Sequence, residues 1–145
     1  MADTLTTAPV GFDKSGTKLF LTDSRGRNTA ALVQLELDGG TTRVLAAEDL
    51  ADAGTVMVHP TEKNVQAVAF NYRRLKWKVL DPAIEEDMQL LAGVDAGELN
   101  VVSRTLDDKT WIVSYMLDDG PVRYYRYDRP TRQTKFLFSN RKSLE

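Results

Sequence analysis

Side chains that do chemistry are few in this chain, and their spacing argues against catalysis. The one histidine, His59, precedes Pro60 in a polar turn leading into a strand. A histidine base needs a nucleophile within hydrogen-bond reach, and the local sequence offers none. One histidine and no cysteine leave neither a multi-histidine nor a thiolate metal set. No serine lies in the G-x-S-x-G pattern of a nucleophile elbow. The glycine pair Gly39–Gly40, in "DGG", reads as a hairpin turn and not as a phosphate cradle. No catalytic, cofactor-binding or metal-binding residue is therefore assigned.

Carboxylates cluster at Asp107–Asp108, Asp118–Asp119 and Glu85–Glu86–Asp87. Sequential neighbours on a strand point apart, so these pairs read as surface turns and helix surface rather than acid/base couples. The most basic stretch is "NYRRLKWK", in which Arg73, Arg74, Lys76 and Lys78 alternate with Tyr72 and Trp77. Cations interleaved with aromatics bind anionic ends, so Tyr72, Arg73 and Arg74 form the candidate peptide or anion contact. The competing reading is a strand–turn–strand whose charges face water. In "VRYYRY", Tyr125 and Tyr127 are expected to pack, with Arg123 and Arg126 at the edge.

The elements that would hold these residues are mostly strands. Leu19 and Leu21, Leu35 and Leu37, and Trp111, Val113 and Tyr115 alternate with polar neighbours, the period of half-buried strands. Close to a dozen such stretches are separated by turns such as "DSRGRN", "HPTEKN" and "DDGP". One segment differs. In "DPAIEEDMQLLAG", Ile84, Met88 and Leu91 share a helical face, Pro82 opens it and Gly93 closes it. A short helix at 82–92 is expected, with a strand at "MQLLA" as the alternative.

A shift of 46 residues aligns Val10, Val56 and Val102, then Leu19, Val65 and Trp111, then Leu21, Ala67 and Val113. The turn before each strand carries Asp13, His59 or Thr105 in one slot and Ser15, Thr61 or Asp107 in another. Further on, Asp38, Asp81 and Asp128 each close an apolar stretch. Repeats of this length with three or four strands each mark β-propeller blades. An ordinary meandering sandwich is the alternative, with no reason to restate one turn-and-strand pattern three times. The expected fold is all-β, a partial propeller of about three antiparallel blades near 8–46, 55–92 and 99–138. These lie in a fragment spanning 10–140, after a flexible start at 1–9 and before a junction or cloning-derived tail at 141–145.

Three blades stack but do not close, because propellers use four to eight. The outer blade faces should expose apolar residues, so a homo-oligomer through those faces is expected. The formal net charge of −2 argues against nucleic acid as a partner. No apolar run reaches the ~20 residues that span a bilayer, so no membrane partner is expected. Cysteine-free composition allows a cytoplasmic location.

The stretch "FDKSGTKLFLTDSRG…LVQLELDGGTTRVL" resembles the repeats of TolB-type propellers and of the propeller in prolyl oligopeptidase family serine peptidases. "LKWKVLDPAIEEDMQLL", "VSRTLDDKTWIVSYMLDDGPVRYYRYDRPT" and "FLFSNRKSLE" are similar to the last blades of that propeller in the acylaminoacyl-peptidase-like branch. Lys142 stands where such sequences often carry proline. The resemblance implies a non-catalytic role beside an α/β-hydrolase domain that would follow this chain and hold the catalytic triad. The propeller would cover the active site and admit short peptides. No triad residue falls on this sequence, so the chain alone is expected to be inert. Two other readings compete: a free-standing, self-assembling protein-binding module, and an enzyme using surface carboxylates.

Overall fold

The computed structural model describes residues 7–141. These divide between two compact units that meet in sequence at Leu80 and Asp81. The first unit opens with a meander of β1 (Ala8–Phe12), β2 (Lys18–Asp23), β3 (Ala31–Glu36) and β4 (Thr42–Ala46). It continues with a three-stranded sheet of β5 (Ala53–Val58), β6 (Val65–Tyr72) and β7 (Arg74–Val79). The second unit starts with a 3-10 turn, Pro82–Ile84, and helix α1 (Glu85–Ala92). Its sheet is the meander β8 (Glu98–Arg104), β9 (Thr110–Met116), β10 (Arg123–Asp128) and β11 (Gln133–Ser139). The chain is all-β, three antiparallel blades of a partial propeller with one short helix. Strand β1 begins at Ala8, and the hydroxyls of Thr7 and Ser24 lie 3.1 Å apart. Residues 1–6 and 142–145, including Lys142, lie outside the described residues.

The repeat is visible in hydrogen bonds. Asp13 N–H donates to the Lys18 carbonyl, His59 N–H to Asn64 and Thr105 N–H to Thr110, each at 3.0 Å. Copies one and three also share register. Pro9 faces Leu21 and Gly11 faces Phe20, while Val101 faces Val113 and Ser103 faces Ile112. Val10 and Val102 are thus the unpaired residues of equivalent bulges, whereas Val56 pairs with Val68. The tight turn needs a left-handed residue, supplied by Gly16 (φ 73°) in copy one and Asp108 (φ 58°) in copy three. In copy two the turn closes one residue later, from Lys63 N–H to the His59 carbonyl, and Lys63 takes the positive φ.

The core of the first unit lies between its two sheets. Leu32 and Ala46 of the first pack with Ala53, Val68 and Phe70 of the second, joined by Ala51. Full burial of each large side chain is worth ~1.5–3 kcal/mol. On its other face the first sheet gathers Leu21, Ala31 and Val33, with Leu35 against them. In the second unit, Ile84 and Leu91 are buried on the apolar stripe of α1, and the Asp81 carboxylate caps the preceding turn by accepting from Ala83 N–H. Among the described residues no helix is long and apolar enough to cross a membrane.

Trp111 occupies the slot of Leu19 and Val65, and it is fully buried where they are half-buried. Trp111→Ala should cost ~3–5 kcal/mol in urea-induced unfolding, by transfer and cavity terms. A loss below about 1 kcal/mol would contradict that packing.

Candidate functional site

The largest concentration of polar chemistry is in the second unit, around a carboxylate expected at the surface. Asp108 is 4% exposed and Asp87 7%, which corrects the reading of both as surface residues. The reason is pairing. Arg104 donates to both oxygens of Asp108 at 2.7 and 2.6 Å, and the Trp111 indole N–H donates to Oδ1 at 2.7 Å. Arg129 donates to Asp108 Oδ2 at 2.8 Å and to Asp87 Oδ2 at 3.0 Å, so one guanidinium bridges two carboxylates. The Tyr127 hydroxyl donates to the other oxygen of Asp87 at 2.6 Å. The guanidinium carbons of Arg104 and Arg129 stand 4.9 and 5.1 Å from the Trp111 ring centre. Nearby, Asp95 accepts from Arg123 at 3.1 Å and from the Tyr125 hydroxyl at 2.7 Å. Tyr115 donates to the Leu91 carbonyl at 2.5 Å.

Each residue is placed by its element. Asp87 sits in the first turn of α1, where a negative charge meets the helix N-terminus favourably. Asp108 takes its position from the repeated turn, and Arg129 from the turn closing β10. Beside the network lies a cleft of about 470 Å³, lined by residues including Pro82, Ala83, Glu86, Asp107, Lys109 and Arg132. Arg132 pairs with Glu86 across it. The lining carries no hydroxyl, thiol or imidazole. Donors hold both oxygens of Asp87 and both of Asp108. The arrangement fastens a helix to a sheet.

Of the other singled-out residues, His59 and Tyr72–Arg74 belong to the first unit, and Arg123, Tyr125, Arg126 and Tyr127 to the second. His59 Nδ1 accepts from the N–H of Thr61 and Glu62 at 3.2 and 2.9 Å, the same turn-holding work that the Asp13 carboxylate does for Thr17 and Lys18. Tyr72, Arg73 and Arg74 form the tip of the β6–β7 hairpin. Tyr72 is opposite Arg74, Arg73 has φ 63°, and its guanidinium lies 5.7 Å from the Tyr72 ring centre. Tyr127 is fully buried and Tyr125 half-buried, while Arg126 is exposed and Arg123 is held by Asp95. Among the described residues no three His, Asp or Glu side chains gather as a metal site.

Burial, then the hydrogen bond to Asp87 and its charge, hold the Tyr127 phenol well above the ordinary tyrosine range. Burial and the Asp95 charge do the same for Tyr115. The hydrogen bond to Asp95 leads in raising Tyr125.

No protein-family model matches the chain. It is 46% identical over 143 residues to dipeptidyl aminopeptidase BIII of Pseudoxanthomonas mexicana, a match covering 99% of this chain and 21% of that protein. It is 30% identical over 145 residues to dipeptidyl peptidase family member 6 of Caenorhabditis elegans, covering 99% of this chain and 20% of that one. The chain thus spans about a fifth of the length of these relatives. Among solved structures, an oligogalacturonate lyase in complex with manganese superposes with a TM-score of 0.50 at 12% identity, over 89% of this chain and 38% of that one. That likeness concerns the fold alone.

Arg129→Ala leaves two buried carboxylates short of a counter-ion and should cost about 3 kcal/mol in urea unfolding. Arg132→Ala breaks an exposed pair, which solvent screens, and should cost far less. Equal losses would show that Arg129 does not bear on the buried charges. For the three raised phenols the folded state favours the neutral form. Their stability contribution is therefore complete below about pH 10, the unfolded value, and lost as pH rises toward the folded one. Phenolate absorbance of Tyr115, Tyr125 and Tyr127 should appear together with loss of sheet circular dichroism. Ionisation in the ordinary range with the sheets intact would contradict the assigned burial and bonds.

Proposed function

We propose that the chain is a non-catalytic propeller segment of a serine peptidase of the prolyl oligopeptidase family. In this reading it gates peptide access to an α/β-hydrolase domain carried elsewhere in the whole protein. The observation that carries the reading is end-to-end identity of 46% to a fifth of a dipeptidyl aminopeptidase. The donor-held carboxylates and the turn-bound imidazole support inertness of the segment itself. The relatives' names favour release of N-terminal dipeptides over the acylaminoacyl activity suggested by resemblance. The Tyr72–Arg73–Arg74 tip is the proposed contact for a peptide carboxylate, and the cysteine-free composition suits a cytoplasmic setting.

A second reading, a self-assembling binding module, is favoured by exposed apolar side chains. Phe12, Val44, Met116 and Phe138 are each 45–57% exposed.

Purified alone, the chain should neither hydrolyse dipeptidyl or acyl-aminoacyl anilides nor react with a fluorophosphonate probe. The whole protein should do both and should discriminate steeply against long polypeptides. Turnover by the isolated chain that survives repurification would overturn its inertness. A whole protein unlabelled by the probe would overturn the peptidase assignment.

A further inference from the structure

One face of the third sheet takes no part in the network above. Strand pairing sets Ser114, Tyr124 and Phe138 abreast, and Ile112, Arg126 and Lys135 abreast on the same side. Tyr124 and Phe138 stack with centroids 4.8 Å apart, and Met116 and Phe138 are 57% and 52% exposed. Tyr115, Tyr125 and Tyr127 lie on the opposite side, where their hydroxyls meet the Leu91 carbonyl, Asp95 and Asp87.

Arg126 and Lys135 are direct cross-strand partners, both exposed, and neither side chain has an ion pair or hydrogen bond to a described residue. Two like charges abreast on a sheet are unfavourable unless something facing them compensates. The carboxylates on this side are Asp128, which accepts from Thr131 N–H, and Glu98, at the far end opposite Met116.

The face of the first sheet that turns away from the second sheet is chemically different. Phe12, Leu19, Leu21, Val33, Leu35 and Val44 share it, and its carboxylate, Asp23, is held by Arg25 at 2.9 Å. A second copy of the chain would press Arg126 and Lys135 against an apolar face or against their own equivalents. Either burial costs free energy with no counter-charge to offset it.

We propose that the Met116–Tyr124–Phe138 face docks a protein sheet that carries carboxylates beside aliphatic side chains, and does not dock a second copy of this chain. The inference deepens the segment reading, since a further blade of the whole protein would supply that sheet.

The test titrates the full chain by calorimetry with capped peptides of alternating Val-Glu, Val-Gln or Val-Lys, about eight residues long, an ordinary strand length. Two exposed ion pairs should make Val-Glu bind about tenfold tighter than Val-Gln, with Val-Lys weakest. Arg126→Gln with Lys135→Gln should bring the three to parity, and Arg126→Glu with Lys135→Glu should reverse the order. Phe138→Ser should weaken all three. Circular dichroism verifies that each variant keeps its sheets. Equal binding of the three peptides, or none, overturns the proposal. So does a wild-type chain that self-associates with Tyr124 and Phe138 protected from hydroxyl-radical footprinting. None of these outcomes touches the peptidase assignment, which rests on labelling and turnover by the whole protein.

Discussion

A sheet with apolar side chains on both faces cannot stand alone in water, and the first sheet is built that way. Leu32 is buried on one side, and Leu21 and Val33 are buried on the other. An antiparallel sheet meant for solvent on one face would alternate apolar with polar. Within the first unit one face is met by Val68 and Phe70 of the next sheet. The same demand then passes to whatever lies against the opposite face. Repetition of one blade is the economical solution, since a face that fits its neighbour once fits it again.

The second unit meets the demand differently, with charge. Helix α1 has eight residues, too few to persist in water by propensity alone. Its fastening runs through Asp87, which takes Tyr127 on one oxygen and Arg129 on the other. Burying such ions costs several kcal/mol each, and Coulomb attraction offsets this only when the remaining lone pairs are also bonded. Each oxygen of Asp87 and Asp108 has at least one donor, and no buried side-chain polar atom lacks a partner among the described residues. The network adds directionality to the fold more than net stability. An apolar patch would let the helix slide along the sheet, whereas a guanidinium shared between Asp87 and Asp108 fixes one seating.

Local pattern made the strands readable. Trp111, Val113 and Tyr115 alternate in sequence and are all fully buried. The helix was readable from Pro82, Gly93 and the spacing of Ile84, Met88 and Leu91, and the strand alternative at "MQLLA" does not form. Arg104 and Trp111 lie only four and three residues from Asp108, but the links through Arg129 and Tyr127 were not readable, because those partners lie 21 to 42 residues apart and meet only after the sheet and helix are assembled. Asp107 and Asp108 look alike in sequence, yet one caps its own turn and the other is buried. A faint signal existed. Asp108 falls in the slot of Gly16, where a left-handed backbone turns the side chain away from the usual direction. Val56 shows the same limit, since bulge position depends on the partner strand and not on the repeat.

The equivalent connections of the three blades divide the labour between scaffold and function. Turns joining the first two strands keep one hydrogen bond in every copy, from the N–H of the slot residue to the carbonyl five residues on, although that residue changes from Asp13 to His59 to Thr105. Connections at the other end of those strands do not match. They run over residues 24–30 in one blade and 117–122 in another, but shrink to Arg73 alone in the middle blade. A non-glycine residue at φ 63° carries a backbone cost that a longer loop would have avoided. Where a repeat preserves one end and varies the other, the preserved end holds the fold and the varied end is free to meet something else. The Tyr72–Arg74 hairpin stands at the varied end, whereas Asp108 stands in the preserved turn.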